Sequence, residues 1–187
     1  LKGYFENGKL VLPAKVERSC GNSTWIGEVD TNYRICGEGK FSYSNGDVYI
    51  GAVLPGGVKH GEGTQIASNG STYKGSWIND EFHGVGTMKF VDGAIYTGDW
   101  VKGERHGRGT MTYHSGNVYE GGWLHDKKHG EGKATFLNGD VFHGAYEDDR
   151  RHGLGTTTHT DGRPPERILY DSGEMLQTKS VSKPITN

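Results

Sequence analysis

The feature that most constrains this chain is a short motif that recurs at a fixed step. The motif is a histidine followed by Gly-x-Gly, and it occurs five times at 23-residue intervals, at His60, His83, His106, His129 and His152. A second motif, an aromatic residue followed by x-Gly-x-aromatic, keeps the same step from Tyr73 onward. Self-similarity at such a period is typical of repeat proteins, in which each unit buries its apolar face against its neighbours.

Each unit has the pattern of a β-hairpin. In the unit that begins at Tyr96, the residues Tyr96, Gly98 and Trp100 alternate with mostly polar ones, which predicts a strand. A turn at Gly103 follows, and the alternation then resumes. The predicted fold is therefore all-β, an elongated single sheet of consecutive β-hairpins with a 23-residue period.

The motif glycines are predicted to pack against rings. They fall on the same face of each strand as the large aromatic residues, and they carry no side chain of their own. A tyrosine or tryptophan can therefore lie flat over the backbone, which gives a thin core of ring on glycine. With two strands per unit, each repeat is expected to advance by roughly 10 Å.

The repeat pattern divides the chain into four segments. We predict degenerate repeats over 1–48, regular repeats over 49–162, a C-terminal capping hairpin over 163–178 and a flexible tail over 179–187. The sequence begins with Leu1 rather than methionine, so we expect it to be a piece of a longer protein.

Composition excludes several classes of function. Lys and Arg total 21 against 23 Asp and Glu, a formal net charge of −2, so no nucleic-acid partner is expected. The 2 cysteines, Cys20 and Cys36, are too few for a disulfide framework, and they favour a reducing compartment. No apolar run approaches membrane-spanning length.

The consensus YxGxW…HGxGTxxxxxGxxY at this period resembles the MORN (membrane occupation and recognition nexus) repeat, from Trp25 to Gly162. The resemblance implies single-sheet hairpin arrays that serve as scaffolds, dimerise or attach to membrane or cytoskeleton. Some members capture a partner helix in an aromatic groove, and others are joined to lipid kinases or a lysine methyltransferase.

We therefore predict a non-catalytic scaffold for protein–protein interaction, with a partner helix or a second copy as its partner. Its expected place is the cytoplasm, at the cytoskeleton or the membrane periphery. Two alternatives stay open: a regulatory or targeting module of a larger lipid-kinase or methyltransferase enzyme, and a module that binds phosphoinositides directly. No cofactor, metal or catalytic residue is predicted.

The aromatic stripe is the predicted partner-binding face, because a single sheet leaves it partly uncovered. Its members are Tyr73, Trp77, Tyr96, Trp100, Tyr119, Trp123, Phe142 and Tyr146.

A basic column precedes the ladder of histidines and could meet anionic phospholipid at about 1 kcal/mol per charge. Acidic residues in the same loops weigh against that hypothesis. The column consists of Lys59, Arg105, Lys128 and Arg151.

The ladder histidines themselves are predicted to be turn residues whose imidazoles bond the backbone between units. Successive rungs lie about 10 Å apart, too far for one chain to share a metal between them. A metal site between chains stays open for the off-register residues Cys20, Cys36, His114, His125, His143 and His159.

Overall fold

The computed structural model of this chain describes residues 5–6, 9–10 and 15–180, with side chains over 16–179. Within these ranges the chain is all strand and turn, without a helix. Fifteen strands, β3 to β17, follow one another in chain order in one antiparallel sheet, and β1 pairs with β2 separately. The predicted all-β sheet of consecutive hairpins is confirmed.

The strands are β1 (Phe5–Glu6), β2 (Lys9–Leu10), β3 (Lys15–Cys20), β4 (Ser23–Val29), β5 (Ile35–Tyr43), β6 (Val48–Leu54), β7 (Val58–Ile66), β8 (Thr72–Ile78), β9 (Glu81–Lys89), β10 (Ile95–Val101), β11 (Glu104–Thr112), β12 (Val118–Leu124), β13 (Lys127–Thr135), β14 (Val141–Glu147), β15 (Arg150–Thr158), β16 (Glu166–Asp171) and β17 (Glu174–Ser180).

Two compact units divide the chain. The first unit comprises Leu1–Val91 and Trp100–Gly103, and the second comprises Asp92–Asp99 and Glu104–Asn187. Each is described by itself below.

Two-residue turns close the hairpins β8–β9 and β12–β13, and both central residues of each turn adopt the left-handed conformation. Asn79 and Asp80 have φ of 51° and 68°, and His125 and Asp126 have φ of 49° and 66°. Positive φ at both positions defines the type I′ turn, whose twist matches that of the flanking strands. Asn and Asp tolerate this conformation better than other non-glycine residues.

The ladder histidines lie in a strand, so their predicted placement in turns is wrong. The β8–β9 register passes from Gly75↔Gly86 to Ser76↔His83, which leaves two extra residues on β9. The glycine after the histidine, Gly84, has a φ of 59° and absorbs this bulge within the strand. The equivalent glycines of the other repeats share this conformation, namely Gly61, Gly107, Gly130 and Gly153.

The predicted packing of rings on glycines is confirmed. Gly75 and Gly86 face each other across β8 and β9, and the Tyr73 ring lies over them. A Cβ atom on Gly86 would come within 2.6 Å of the ring atom Cε2 of Tyr73. Gly109 lies in the same way under Tyr96, and Gly132 under Tyr119. A side chain at these positions would displace a core ring.

The chain after the last repeat also forms a hairpin. Strands β16 and β17 pair through a turn at Ser172 and Gly173, whose φ values are 47° and 91°. Strand β17 ends at Ser180, so it includes the first two residues of the predicted tail. The rest of that tail, 181–187, lies outside the described residues.

We predict that Gly132→Ala destabilises the protein far more than Gly130→Ala, two residues earlier. A Cβ on Gly132 would lie 2.5 Å from Tyr119 ring atoms, which corresponds to overpacking of about 3 kcal/mol. Gly130 has open space around it and a φ of 70°, so alanine there costs only the backbone strain of about 1 kcal/mol. Urea unfolding followed by circular dichroism measures both. Equal midpoints would contradict ring-on-glycine packing.

Candidate interaction face

The eight predicted contact rings form the core of the sheet. Their exposed fractions run from 0% for Tyr96 and Phe142 to 6% for Tyr146. In strands β8 and β12 the two rings meet edge to face, with centroids 5.3 Å apart for Tyr73 and Trp77 and for Tyr119 and Trp123. A partner can therefore touch these rings only through a small part of their surface. Their role as contact residues stays a prediction. The rings are Tyr73, Trp77, Tyr96, Trp100, Tyr119, Trp123, Phe142 and Tyr146.

The polar atoms of the buried rings are paired with the backbone. The Tyr73 hydroxyl donates to the Ser76 carbonyl at 2.9 Å, and Trp77 Nε1 donates to the Gly63 carbonyl at 3.2 Å. Burial raises the pKa of Tyr73 to about 12 and also raises the pKa of Tyr119. These bonds hold each ring in one orientation over its glycines.

The basic column covers the rings. Lys59 Nζ lies 4.7 Å from the Trp77 ring centroid, and the guanidinium carbon of Arg151 lies 4.0 Å from that of Phe142. These distances are within the range of cation–π attraction. The column thus shields a face that one sheet layer would leave open. The lipid-headgroup role of Lys59, Arg105, Lys128 and Arg151 stays a prediction. Contacts with rings of their own chain would compete with binding of these cations to a headgroup.

One repeat has a ring in place of the cation. Phe82 occupies the column position in β9 and stacks on Tyr73, with centroids 3.8 Å apart and an interplanar angle of 18°. It also meets Trp77 and Trp100 edge to face. The column therefore serves first to cover the core, because an uncharged residue fills the same place.

Acidic residues in some of the hairpin turns tie a repeat to the one before. The Lys59 N–H donates to Asp80 Oδ1 at 2.9 Å, and the Asp80 N–H donates to the Lys59 carbonyl at 3.1 Å. The same reciprocal pair links Lys128 with Asp149. Burial lowers the pKa of the Lys59 ammonium, and the nearby Asp80 and Asp47 carboxylates partly offset that effect.

A second column of rings, which the sequence reasoning missed, is half-buried. Lys128 Nζ lies 5.2 Å from the Tyr113 centroid, and Arg151 lies 5.6 Å from that of Phe136, so these rings flank the cations on the ring face. The signal was present as an aromatic residue three positions before four of the turn glycines, Gly46, Gly93, Gly116 and Gly139, whereas Ala67 stands in that place before Gly70. We call this set the flanking rings: Tyr43, Phe90, Tyr113 and Phe136.

The ladder histidines differ in what their imidazoles contact. Nδ1 of His60 and Nδ1 of His129 are buried without a hydrogen-bond partner, so neither of these nitrogens makes the predicted bond to the backbone. His152 Nδ1 lies 3.6 Å from a Glu147 carboxylate oxygen. Over the described part of the chain, no three His, Cys, Asp or Glu side chains are placed to hold a metal.

Two of the off-register histidines are paired within the chain. His125 Nδ1 lies 2.7 Å from Glu104 Oε2, and His159 Nδ1 lies 3.0 Å from Asp140 Oδ2. The hydrogen bond with His159, with another from the Thr160 N–H, lowers the pKa of Asp140 to about 2. Because Nδ1 is paired in both rings, only Nε2 of either imidazole is left to reach a metal between chains.

The fold and this face define a β-hairpin repeat protein that presents the same side-chain pattern once per repeat. The MORN repeat family model matches residues 31–48, 56–72, 73–95, 96–118, 119–141 and 142–162. The chain belongs to the MORN repeat family. The first matched stretch, 31–48, falls in the segment that we expected to be degenerate.

Comparison with curated proteins found no match. Among solved structures, the chain is similar to the SAS-4 (dCPAP) TCP domain of Drosophila melanogaster in complex with a proline-rich motif of Ana2 (dSTIL). Identity is 11%, coverage is 90% of each chain and the TM-score is 0.46. It is also similar to the TCP10 domain of Danio rerio CPAP with a STIL peptide, at 18% identity, 89% and 99% coverage and a TM-score of 0.34. Scores below 0.5 do not establish a shared fold.

None of the described residues belongs to a helix that could cross a lipid bilayer.

We predict that the protein loses stability in alkali. The neutral phenol of Tyr73 is favoured in the folded state, so its stabilising effect is present below about pH 10 and is lost as pH rises toward its folded pKa of about 12. Denaturation midpoints measured from about pH 8 to about pH 11.5 follow this loss, because the range spans the ordinary tyrosine pKa of about 10. Tyrosinate absorbance is read in parallel.

Tyr73→Phe should make this loss shallower, because one buried ionisable phenol is removed. Tyr33→Phe is the matched control, since Tyr33 is 43% exposed. An identical pH slope in both variants would contradict the role of the buried phenol.

Proposed function

We propose that this chain is a non-catalytic scaffold that binds a protein partner along the ring face, at the cytoskeleton or the membrane periphery. Membership of the MORN repeat family supports a scaffold. The observation that carries the proposal is the column of flanking rings, half-buried aromatic groups of which Tyr43, Tyr113 and Phe136 lie beside a cation. Such a mixture of aromatic and basic groups is typical of residues that dominate protein interfaces.

The partner's contacts are expected to be with the flanking rings rather than with the buried stripe. Tyr113 and Phe136 keep part of their surface open, whereas Tyr119 and Phe142 beneath them are at most 1% exposed. In each unit the same contact occurs in more than one repeat, so weak contacts add up through effective concentration. The deeper rings then hold the contact residues in place.

A helix of a foreign protein or a second copy of the chain would suit this face. The alternative that the chain is a regulatory or targeting module of a larger enzyme would leave this contact unchanged. Direct phosphoinositide binding is the weaker candidate, because Lys59, Arg105, Lys128 and Arg151 already face rings of their own chain.

The proposal predicts that a photo-cross-linking amino acid at position 113 captures a partner in cells, and that one at Glu120 does not. Tyr113 lies on the ring face, while Glu120 is an exposed residue of the opposite face in the same unit. Mass spectrometry of the cross-linked product separates a foreign protein from a second copy. Capture from position 120 but not 113 would overturn the proposal.

The double variant Tyr113→Ser/Phe136→Ser should abolish the contact without unfolding the chain. Both side chains are half-buried, so the thermal midpoint should fall only slightly. The matched control is Glu120→Ser/Lys133→Ser, which replaces an exposed ion pair of 3.0 Å on the opposite face. Sedimentation with phosphoinositide vesicles tests the lipid alternative, and binding that survives the ring variant would favour it.

A further inference from the structure

The face opposite the rings carries a row of exposed aliphatic side chains in the first unit. Leu54, Ile78 and Val101 end strands β6, β8 and β10, and they are 40%, 40% and 38% exposed. Each follows a buried residue of the ring face, so strand alternation places all three on the other face. We call this set the aliphatic row.

The members of the row are held at a regular spacing. The turn after Ile78 docks through the Asp80 N–H on the Lys59 carbonyl, and the turn after Val101 docks through the Gly103 N–H on the Phe82 carbonyl, at 3.1 and 2.9 Å. Both turns thus join the preceding hairpin in the same way. Because two strands separate successive members, the row has a period of roughly 10 Å.

This period selects the conformation of a ligand that contacts every member. Seven residues of an α-helix rise about 10.5 Å, so a helix with an aliphatic residue at every seventh position stays in step with the row. An extended strand returns to the same face about every 6.7 Å and falls out of step. A polyproline II segment repeats at about 9.3 Å, but it is recognised by aromatic grooves, and this row is aliphatic.

Carboxylates beside the row select the charge of the ligand. Glu81 lies directly across from Ile78, and Glu62 lies across from Ser76, two residues earlier on the same strand. Glu38 occupies the equivalent place across from Ala52, beside Leu54. All three are exposed, and the exposed lysines nearby are Lys74, two residues further from the row than Ser76, and Lys102, in the turn after Val101. Basic side chains that flank the aliphatic ones would therefore be attracted.

We propose that the aliphatic row is a second binding surface, which takes a basic amphipathic α-helix whose aliphatic residues recur every seven positions. The helix runs across the strands, with its aliphatic residues on Leu54, Ile78 and Val101 and basic residues toward Glu81, between Ile78 and Val101, and toward Glu62 beside the row. No described segment of this chain is helical, so the occupant is not supplied by the described part of a second copy. This surface is independent of the ring face.

The probe is a dye-labelled peptide of three heptads, with leucine at the first and fourth positions of each and lysine on the flanks. One comparison peptide has the same composition in an order without the seven-residue period, and another is a proline-rich peptide of equal charge. Fluorescence anisotropy titrations against the intact chain should show that the heptad peptide binds about tenfold more tightly than either.

The variant Leu54→Thr/Ile78→Thr/Val101→Thr should weaken binding of the heptad peptide about tenfold. Threonine keeps strand propensity at exposed positions, so the fold is retained. The matched control is Ile26→Thr/Ile50→Thr/Ile66→Thr, three aliphatic residues of the same face and unit that are 50%, 47% and 40% exposed. It should leave binding unchanged.

Glu62→Gln/Glu81→Gln should weaken binding at low salt and have less effect at high salt, because ions screen the attraction. The proposal is overturned if the heptad peptide fails to bind the wild-type chain, if either comparison peptide binds as tightly, or if the row variant binds like the control variant. A ring-face variant leaves all of these results unchanged, so this proposal and the scaffold proposal fail separately.

Discussion

Every repeat of this protein depends on one contact, an aromatic ring laid flat on a pair of facing glycines. Gly86 and Gly75 approach so closely beneath Tyr73 that neither position has room for a Cβ atom. The ring packs on glycine backbone, and its hydroxyl reaches a backbone carbonyl of the same strand. A single layer of sheet can therefore bury large rings without a second layer to pack against, which most β-sheet proteins require.

The cover over these rings decides what the face can do. Long basic side chains lie across the aromatic surface with their charged ends at the rim, so they exclude water from the rings and keep the face soluble. Phe82 shows that the cover does not depend on charge. What remains open to a partner is the boundary between cover and core, where rings such as Tyr113 stand beside a cation.

The repeat period was sufficient to predict the fold, because only a hairpin of two short strands fits the alternation between one Gly-x-Gly and the next. The packing of rings on glycines followed from the same alternation. The sequence was less informative on the candidate site. Whether Trp77 is open or covered depends on where the flexible side chain of Lys59 lies, and a sequence pattern does not determine the rotamer of that side chain. The bulge at Gly84 was missed because His-Gly before a strand looks the same as a turn, and only the register separates them.

The reciprocal bonds between a turn aspartate and the preceding hairpin have a consequence for how such chains can change in length. Asp80 and Asp149 dock on their neighbours through the same backbone atoms, although the residues around them differ. A junction of this kind accepts any hairpin that ends in the right turn. Duplication or loss of one whole 23-residue segment would recreate an existing junction. Evolution can therefore adjust the number of contact points in whole steps while each remaining step keeps its geometry.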